Sequence, residues 1–462
     1  MTRACWVACA GLVLMLRAPW PARGADEAVF EMKRVSPIGL DGGDLRFRHA
    51  VGQRAQCKRK PNPRIKAWPT PVSAEPLYSS VTFDQSYNQT KGGMQFGLML
   101  DESRGTGTGY DRLYFDLNRD GNLINDAALK PLADPPKGLY PFGKEKRVTC
   151  FEYLTVPFDH GPGLGQRPFR ILPRLVEWSG GFAAVFFAST VAWEGKIRIG
   201  DRDYNAVLEQ EHAITGRFDR PWTALHLDPV HGSELSRPWL ERGYLNWMRL
   251  EDNTFYRVTA TPTGDKLIVR PYEGEFGLFE IGAGGRKISK LGASGRLSAS
   301  TWTVPIGHTQ AGDRGRVRRS RIPVGDYLPG YMRIDFGRLH IFVTNNYHSD
   351  GHPRDRQGRP RVYGVKIRKD KPFVLDFSNK PEVLFASPAK DQRFRRGDKV
   401  VVNGVLIDPA LDIMIRDLTK PAAEVKETRA RSTRRNRVSL NPTVTITNSR
   451  GERVAEGVMP FG

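Results

Sequence analysis

Residues 110–126, YDRLYFDLNRDGNLIND, carry two patterns that meet at Asp116. Up to that point Leu113, Phe115 and Leu117 alternate with Arg112, Tyr114 and Asp116, the period of two that gives a β-strand one apolar face. From there Asp116, Asn118 and Asp120 set an oxygen-bearing side chain at every second position, and Gly121 closes the run. Oxygens gathered by a sharply turned backbone suit a hard cation. A strand followed by an oxygen-rich bend predicts a β-fold stapled by an ion, not a reaction centre.

The hexapeptide core Asp116–Gly121 resembles the calcium loops of EF-hands and dockerins, with oxygens at loop positions 1, 3 and 5 and glycine at 6. The resemblance implies a backbone carbonyl ligand from Asn122 at position 7 and an apolar pin from Leu123 at position 8. Ile124 at position 9 cannot ligate through its side chain, and Ala127 stands where a bidentate acid belongs. Asp126, one residue early, closes the site if the loop is shorter than standard. The implied metal set is Asp116, Asn118, Asp120, Asn122 and Asp126, holding calcium with the weak affinity of extracellular sites. The alternative is an Asx-rich turn that needs no metal, because Asp, Asn and Gly also dominate turns. The loop follows a strand, not the entering helix of an EF-hand.

The rest of the composition agrees with a β-rich chain. Four hundred and sixty-two residues exceed what one core serves, so about three domains are expected. Gly 47 and Pro 33 cut the sequence into short pieces with few long helical patterns. At the amino terminus Arg3, an apolar run over 5–16 and Ala22-Arg23-Gly24 read as an export signal. That run is too short to span a bilayer, and the apolar stretch 182–193 reads as a buried strand pair. The formal charge is +21, and a chain beginning at Ala25 carries +18, since Arg3, Arg17 and Arg23 leave with no acid. Such a charge attracts anionic envelope polymers or glycans. Lys58-Arg59-Lys60, 314–321 and 429–437 hold the basic clusters, without any nucleic-acid module, so no specific nucleic acid is expected. Beyond the signal, Cys57 and Cys150 remain, able to form one disulfide or to stay as separate thiols.

Along the chain, 1–24 is the signal peptide and 25–70 an extended lead-in. Residues 71–290 form one or more β-rich domains with the calcium-type loop, and 291–378 a further β domain. Residues 379–462 resemble an immunoglobulin-like or fibronectin-like sandwich in their short strands and valine-rich runs, which implies a spacer or adhesion-type module. Thr261-Pro-Thr-Gly-Asp265 is hairpin turn chemistry between alternating strands at 254–260 and 266–272. Residues 305–321 read as an Arg-rich loop, and the GTGTG run at 105–109 as a turn. A weaker echo of the ion loop lies at 211–219, where Gly216 aligns with Gly121, Glu211 with Asp116 and Phe218 with Leu123. Chance similarity is the alternative to a decayed duplicate.

Other candidate chemistry is thin. His226-Leu-Asp228-Pro-Val-His231 and His348-Ser-Asp350-Gly-His352 pair imidazoles with carboxylates, but neither has a zinc-signature spacing, and surface-loop histidines explain them better. Catalytic residues are not identifiable: there is no Gly-x-Ser-x-Gly elbow, and no histidine accompanies either cysteine in sequence. Trp178, Trp222, Trp239 and Trp247 are candidates for a glycan-binding face, with burial in β cores as the alternative. The fold class expected is mainly β, a multidomain antiparallel sandwich and sheet architecture ending in an immunoglobulin-like domain. In general character the chain resembles exported β-rich proteins of environmental bacteria, a likeness of style that implies no activity. The expected function is an exported, non-enzymatic, calcium-stabilised binding or scaffolding protein of the envelope or exterior; a secreted polysaccharide-active enzyme is the alternative.

Overall fold

The computed structural model describes residues 27–37, 52–84, 93–107, 109–136, 145–211, 213–230, 242–282, 291–306, 317–336, 339–344, 364–375, 380–388, 392–395, 397–408, 413–421 and 437–459. Every regular element among them is a β-strand, and all pairings between strands are antiparallel except Phe276–Gly282 with Phe373–Leu375. The chain is therefore mainly β, as its turn-rich, alternating sequence dictates. Residues 1–24, read from sequence as an export signal, lie outside the described residues, as do His231, Trp239 and the whole His348–His352 motif.

Two cores organise the strands. The first gathers Phe83, Phe96, Phe115, Phe158 and Phe187, all at most 3% exposed, with ring centroids such as Phe96 and Phe115 5.0 Å apart. Around it lies the three-stranded sheet Leu77–Phe83, Met94–Asp101 and Arg112–Phe115, which ends in the ion-type loop. A second sheet places Ala183–Ser189, buried at every residue, between Gln53–Gln56 and the long strand Gln166–Trp178. A third runs Arg242–Tyr244, Ala224–Pro229, Arg202–Glu209, Ala192–Ile199 and Lys33–Val35. Continuous apolar runs such as FFA in 186–188 are what a strand covered on both faces requires.

The second core packs Phe279, Leu291, Tyr327, Met332, Ile334, Val343 and Ile415. Its main sheet threads Leu291–Ser298, Gly325–Phe336, Leu339–Thr344, Ile413–Pro421 and Asn403–Asp408 in that spatial order. The strand Thr254–Ala260 is a wall common to both cores. Its period of two sends Phe255 into the second core and Val258 and Ala260 into the first. The turn after it folds as its composition demands: Lys266–Pro271 returns antiparallel, and Gly264 takes φ +89 where a Cβ would strike Trp193.

Several segments sit differently from their sequence expectation. Within 305–321, residues 317–321 belong to the strand Val317–Pro323, because its arginines are used locally. Arg319 pairs with Glu280 at 2.7 Å, and Arg321 lies 4.0 Å above the Phe276 ring. The lead-in contributes Ala28–Glu31, Lys33–Val35 and Gln53–Gln56, each paired to a strand more than a hundred residues away. In the C-terminal segment Ile413–Pro421 pairs with Leu339–Thr344, so its strands extend the sheet that precedes them.

Candidate cation sites

Arg112–Phe115 leads directly into the loop, and the loop is seated on a small core of its own. Leu123 is fully buried against Ile65, Tyr78 and Met99, flanked by Trp68 and Tyr114. Backbone bonds fix it there: Lys66 N–H donates to the Gly121 carbonyl at 2.8 Å and Leu123 N–H to that of Ala67 at 3.0 Å. Gly121 adopts φ +76 with the Arg64 carbonyl 3.3 Å from where a Cβ would stand. The residue expected as an apolar pin is thus an apolar pin, and the loop clasps residues 64–68 to the three-stranded sheet.

The oxygen-bearing side chains form a ladder of Asx turns. Asn118 Oδ1 accepts from Asp120 N–H at 3.0 Å, Asp120 Oδ1 from Asn122 N–H at 2.8 Å, and Asn122 Oδ1 from Ile124 N–H at 3.1 Å. Asp116 Oδ2 accepts from Gly121 N–H at 3.2 Å, and Asp126 Oδ1 from Leu117 N–H at 3.4 Å. The second oxygens of these two acids, Asp116 Oδ1 and Asp126 Oδ2, are buried and accept no hydrogen bond. Asp116 as a whole is 3% exposed. Burial, with the nearby Asp120 charge, lifts the Asp116 pKa; burial and then Asp116 and Asp120 lift that of Asp126. Asp120 itself is exposed and held down, first by the Asn125 amide at 2.8 Å. Two orphaned carboxylate oxygens in a like-charged neighbourhood are a poor resting arrangement for a plain turn and a suitable one for a hard cation.

A different cluster is drawn together more tightly. Among the described residues, Glu209, Glu211 and His226 are the group of three or more His, Cys, Asp or Glu whose donor atoms all lie within 4.8 Å of one another. The carboxylates of the 116–126 loop are spread wider than that. Glu209 and Glu211 are 1% and 3% exposed, and His226 Nε2 lies 2.7 Å from Glu209 Oε1. His226 therefore sits in a strand, largely covered, and not in a surface loop as its sequence context suggested. Its partner is Glu209 of the neighbouring strand, set by a register that places Val207 opposite His226. The sequence held one weak signal of this: the alternation Glu209-Gln-Glu211 at the end of an apolar strand.

Other expected features resolve into structural roles. Within the GTGTG run, residues 105–107 wrap around buried Glu102, which accepts from Gly107 N–H, from Ser73 Oγ at 2.7 Å and from Thr106 Oγ1 at 2.5 Å. Burial raises the Glu102 pKa, and these bonds more than reverse it. Cys57 and Cys150 are unpaired thiols; burial pushes Cys57 up to about 12 and raises Cys150 despite the opposing charge of Arg174. Trp222, Tyr244 and Trp247 form an edge-to-face ladder with centroids 5.2 and 5.4 Å apart, so they do not make a flat platform. Trp178 packs on Phe182 and Phe186. A groove of about 640 Å³ opens between Tyr256, Phe30 and Pro271 on one side and Lys196, Arg198 and Asp203 on the other.

These features define a β-sheet body with two candidate cation sites among the described residues. No protein-family model matches the chain, and no curated protein or solved structure is significantly similar to it.

Proposed function

We propose that this chain is an exported, non-enzymatic binding or scaffolding protein of the cell envelope or exterior, whose first β-body is stapled by calcium at Asp116, Asn118, Asp120, Asn122 and Asp126. The observation that carries the reading is the pair of buried carboxylate oxygens, Asp116 Oδ1 and Asp126 Oδ2, with nothing to accept. Calcium supplies charge compensation there, and oxygen ligands at about 2.3–2.6 Å are what it takes. The chain's own residues provide the rest: Gly121 makes the bend, Leu123 anchors it, and 64–68 are clasped by it. Without an acid at loop position 12, affinity belongs in the weak extracellular range.

The formal charge of +18 over residues 25–462, with Lys196 at the rim of the groove, supports an anionic glycan or envelope polymer as the bound partner. A polysaccharide-cleaving enzyme would need two converging carboxylates. The groove offers Asp203, which Arg198 holds at both oxygens, 2.7 and 2.9 Å away.

The test is thermal unfolding of chain 25–462 with calcium and with chelator. At a hundredfold excess over Kd, calcium should add about 2.7 kcal/mol. For a body of this size that is roughly 5–10 °C in Tm. Asp116→Ala should abolish the increment, and an equal calcium shift in that variant would remove the site.

A further inference from the structure

We infer that Glu209, Glu211 and His226 form a second cation site, one that takes a divalent first-row transition metal. The inference is independent of the calcium loop. Its basis is convergence: the imidazole of His226 and the carboxylates of Glu209, at the end of the neighbouring strand, and Glu211, in the bend that follows it, meet within 4.8 Å. Donor atoms bonded to one metal at about 2.0–2.2 Å lie roughly 3–4 Å apart, so small side-chain adjustments bring these three onto a common ion. His226 Nε2 lies 2.7 Å from Glu209 Oε1, so the ring nitrogen already faces the carboxylate, and a metal bound there takes the place of the proton it donates. Imidazole with two carboxylates is a mixed nitrogen and oxygen set, suited to zinc, manganese, cobalt or iron and not to calcium. Both glutamates are at least nine-tenths buried, so an ion there meets ligands already withdrawn from solvent.

A hydrogen bond from His226 would by itself account for burying Glu209. It does not account for a second buried glutamate arriving at the same place. The placement of Glu211 has a counterpart in the first loop. Glu211 stands five residues before Gly216, at φ +67, as Asp116 stands five before Gly121, at φ +76. Phe218 is buried two residues after, as Leu123 is. In the first loop the acid caps its own glycine, with Gly121 N–H on Asp116 Oδ2. In the second, Gln210 Oε1 takes that place, accepting from Thr215 N–H at 2.8 Å and Gly216 N–H at 3.0 Å. Glu211 is relieved of the capping duty and turns to His226 and Glu209 instead.

The probe is Co²⁺, titrated into untagged chain 25–462 after dialysis against chelator, followed by visible absorption. One equivalent should bind, with a d–d spectrum, and should persist in Asp116→Asn, which separates this site from the calcium loop. His226→Gln and Glu211→Gln, checked for native circular dichroism, should each weaken binding by about a hundredfold or more. Asp228→Asn, in the same strand as His226 but outside the cluster, should not. No stoichiometric Co²⁺ in the native chain, or wild-type affinity in His226→Gln, would overturn the proposal. Should the variants fail to fold, anomalous diffraction from cobalt-soaked wild-type crystals decides: an ion bonded to all three side chains supports the site, and an ion elsewhere disposes of it.

Discussion

Asp116 concentrates the physical tension of the molecule in one side chain. Its raised pKa means that the folded state holds a proton more tightly than the unfolded chain does. An acid of this kind costs stability as pH rises from the ordinary carboxylate range, about 3.9, through the elevated value, and the whole cost is present at neutral pH. Asp116→Asn removes the charge while keeping an oxygen for Gly121 N–H. In chelator at pH 7 the variant should therefore melt above wild type, and the gap should close near pH 3. In saturating calcium the order should reverse. A variant that is less stable than wild type in both conditions at neutral pH would contradict the assignment; differential scanning fluorimetry suffices. This loop was readable from sequence because all its donors lie within eleven residues and the backbone alone brings them together. The pairing of His226 with Glu209 was not, since 17 residues separate them and only strand register decides which side chains face each other.

At the scale of the element, the strand Thr254–Ala260 does most to join the parts. Alternation announced it, and its hairpin partner followed from the turn residues between them. That its two faces serve different cores was not announced, because alternation says which residues share a face and not what covers it. Phe255 is 2% exposed, with its ring 5.9 Å from that of Phe276. Phe255→Ala should cost about 3–5 kcal/mol, as for other large aromatic truncations in cores. Urea denaturation followed by tryptophan fluorescence would measure it; a loss below about 1 kcal/mol would mean the strand is not the wall described. Arginine-rich Val317–Pro323 teaches the converse lesson. Charge density suggested a loop, yet a strand forms because Arg319 and Arg321 each find a local partner.

For the whole molecule, the separation of Cys57 and Cys150 has a direct chemical consequence. Cys150 is buried and Cys57 half-buried, and both are pushed toward the protonated, unreactive form. In chain 25–462, without reductant, a thiol reagent should react slowly with the native protein and titrate two equivalents once urea unfolds it. Zero equivalents under denaturation would show a disulfide and contradict the arrangement. The two cores also share their stabilisation through the wall at 254–260, so the calcium increment should be largest where the first core reports unfolding.

The sequence by itself determined the β class, the hairpin at 261–265 and the oxygen ladder at 116–126, because each rests on neighbours along the chain: alternation, turn chemistry and donor spacing. The tertiary structure alone decided which strands pair, that two cores share one wall, and that Glu209, Glu211 and His226 meet. Those outcomes depend on register between distant strands, where shifting one strand by a single residue reverses every side chain, and no local pattern records that choice.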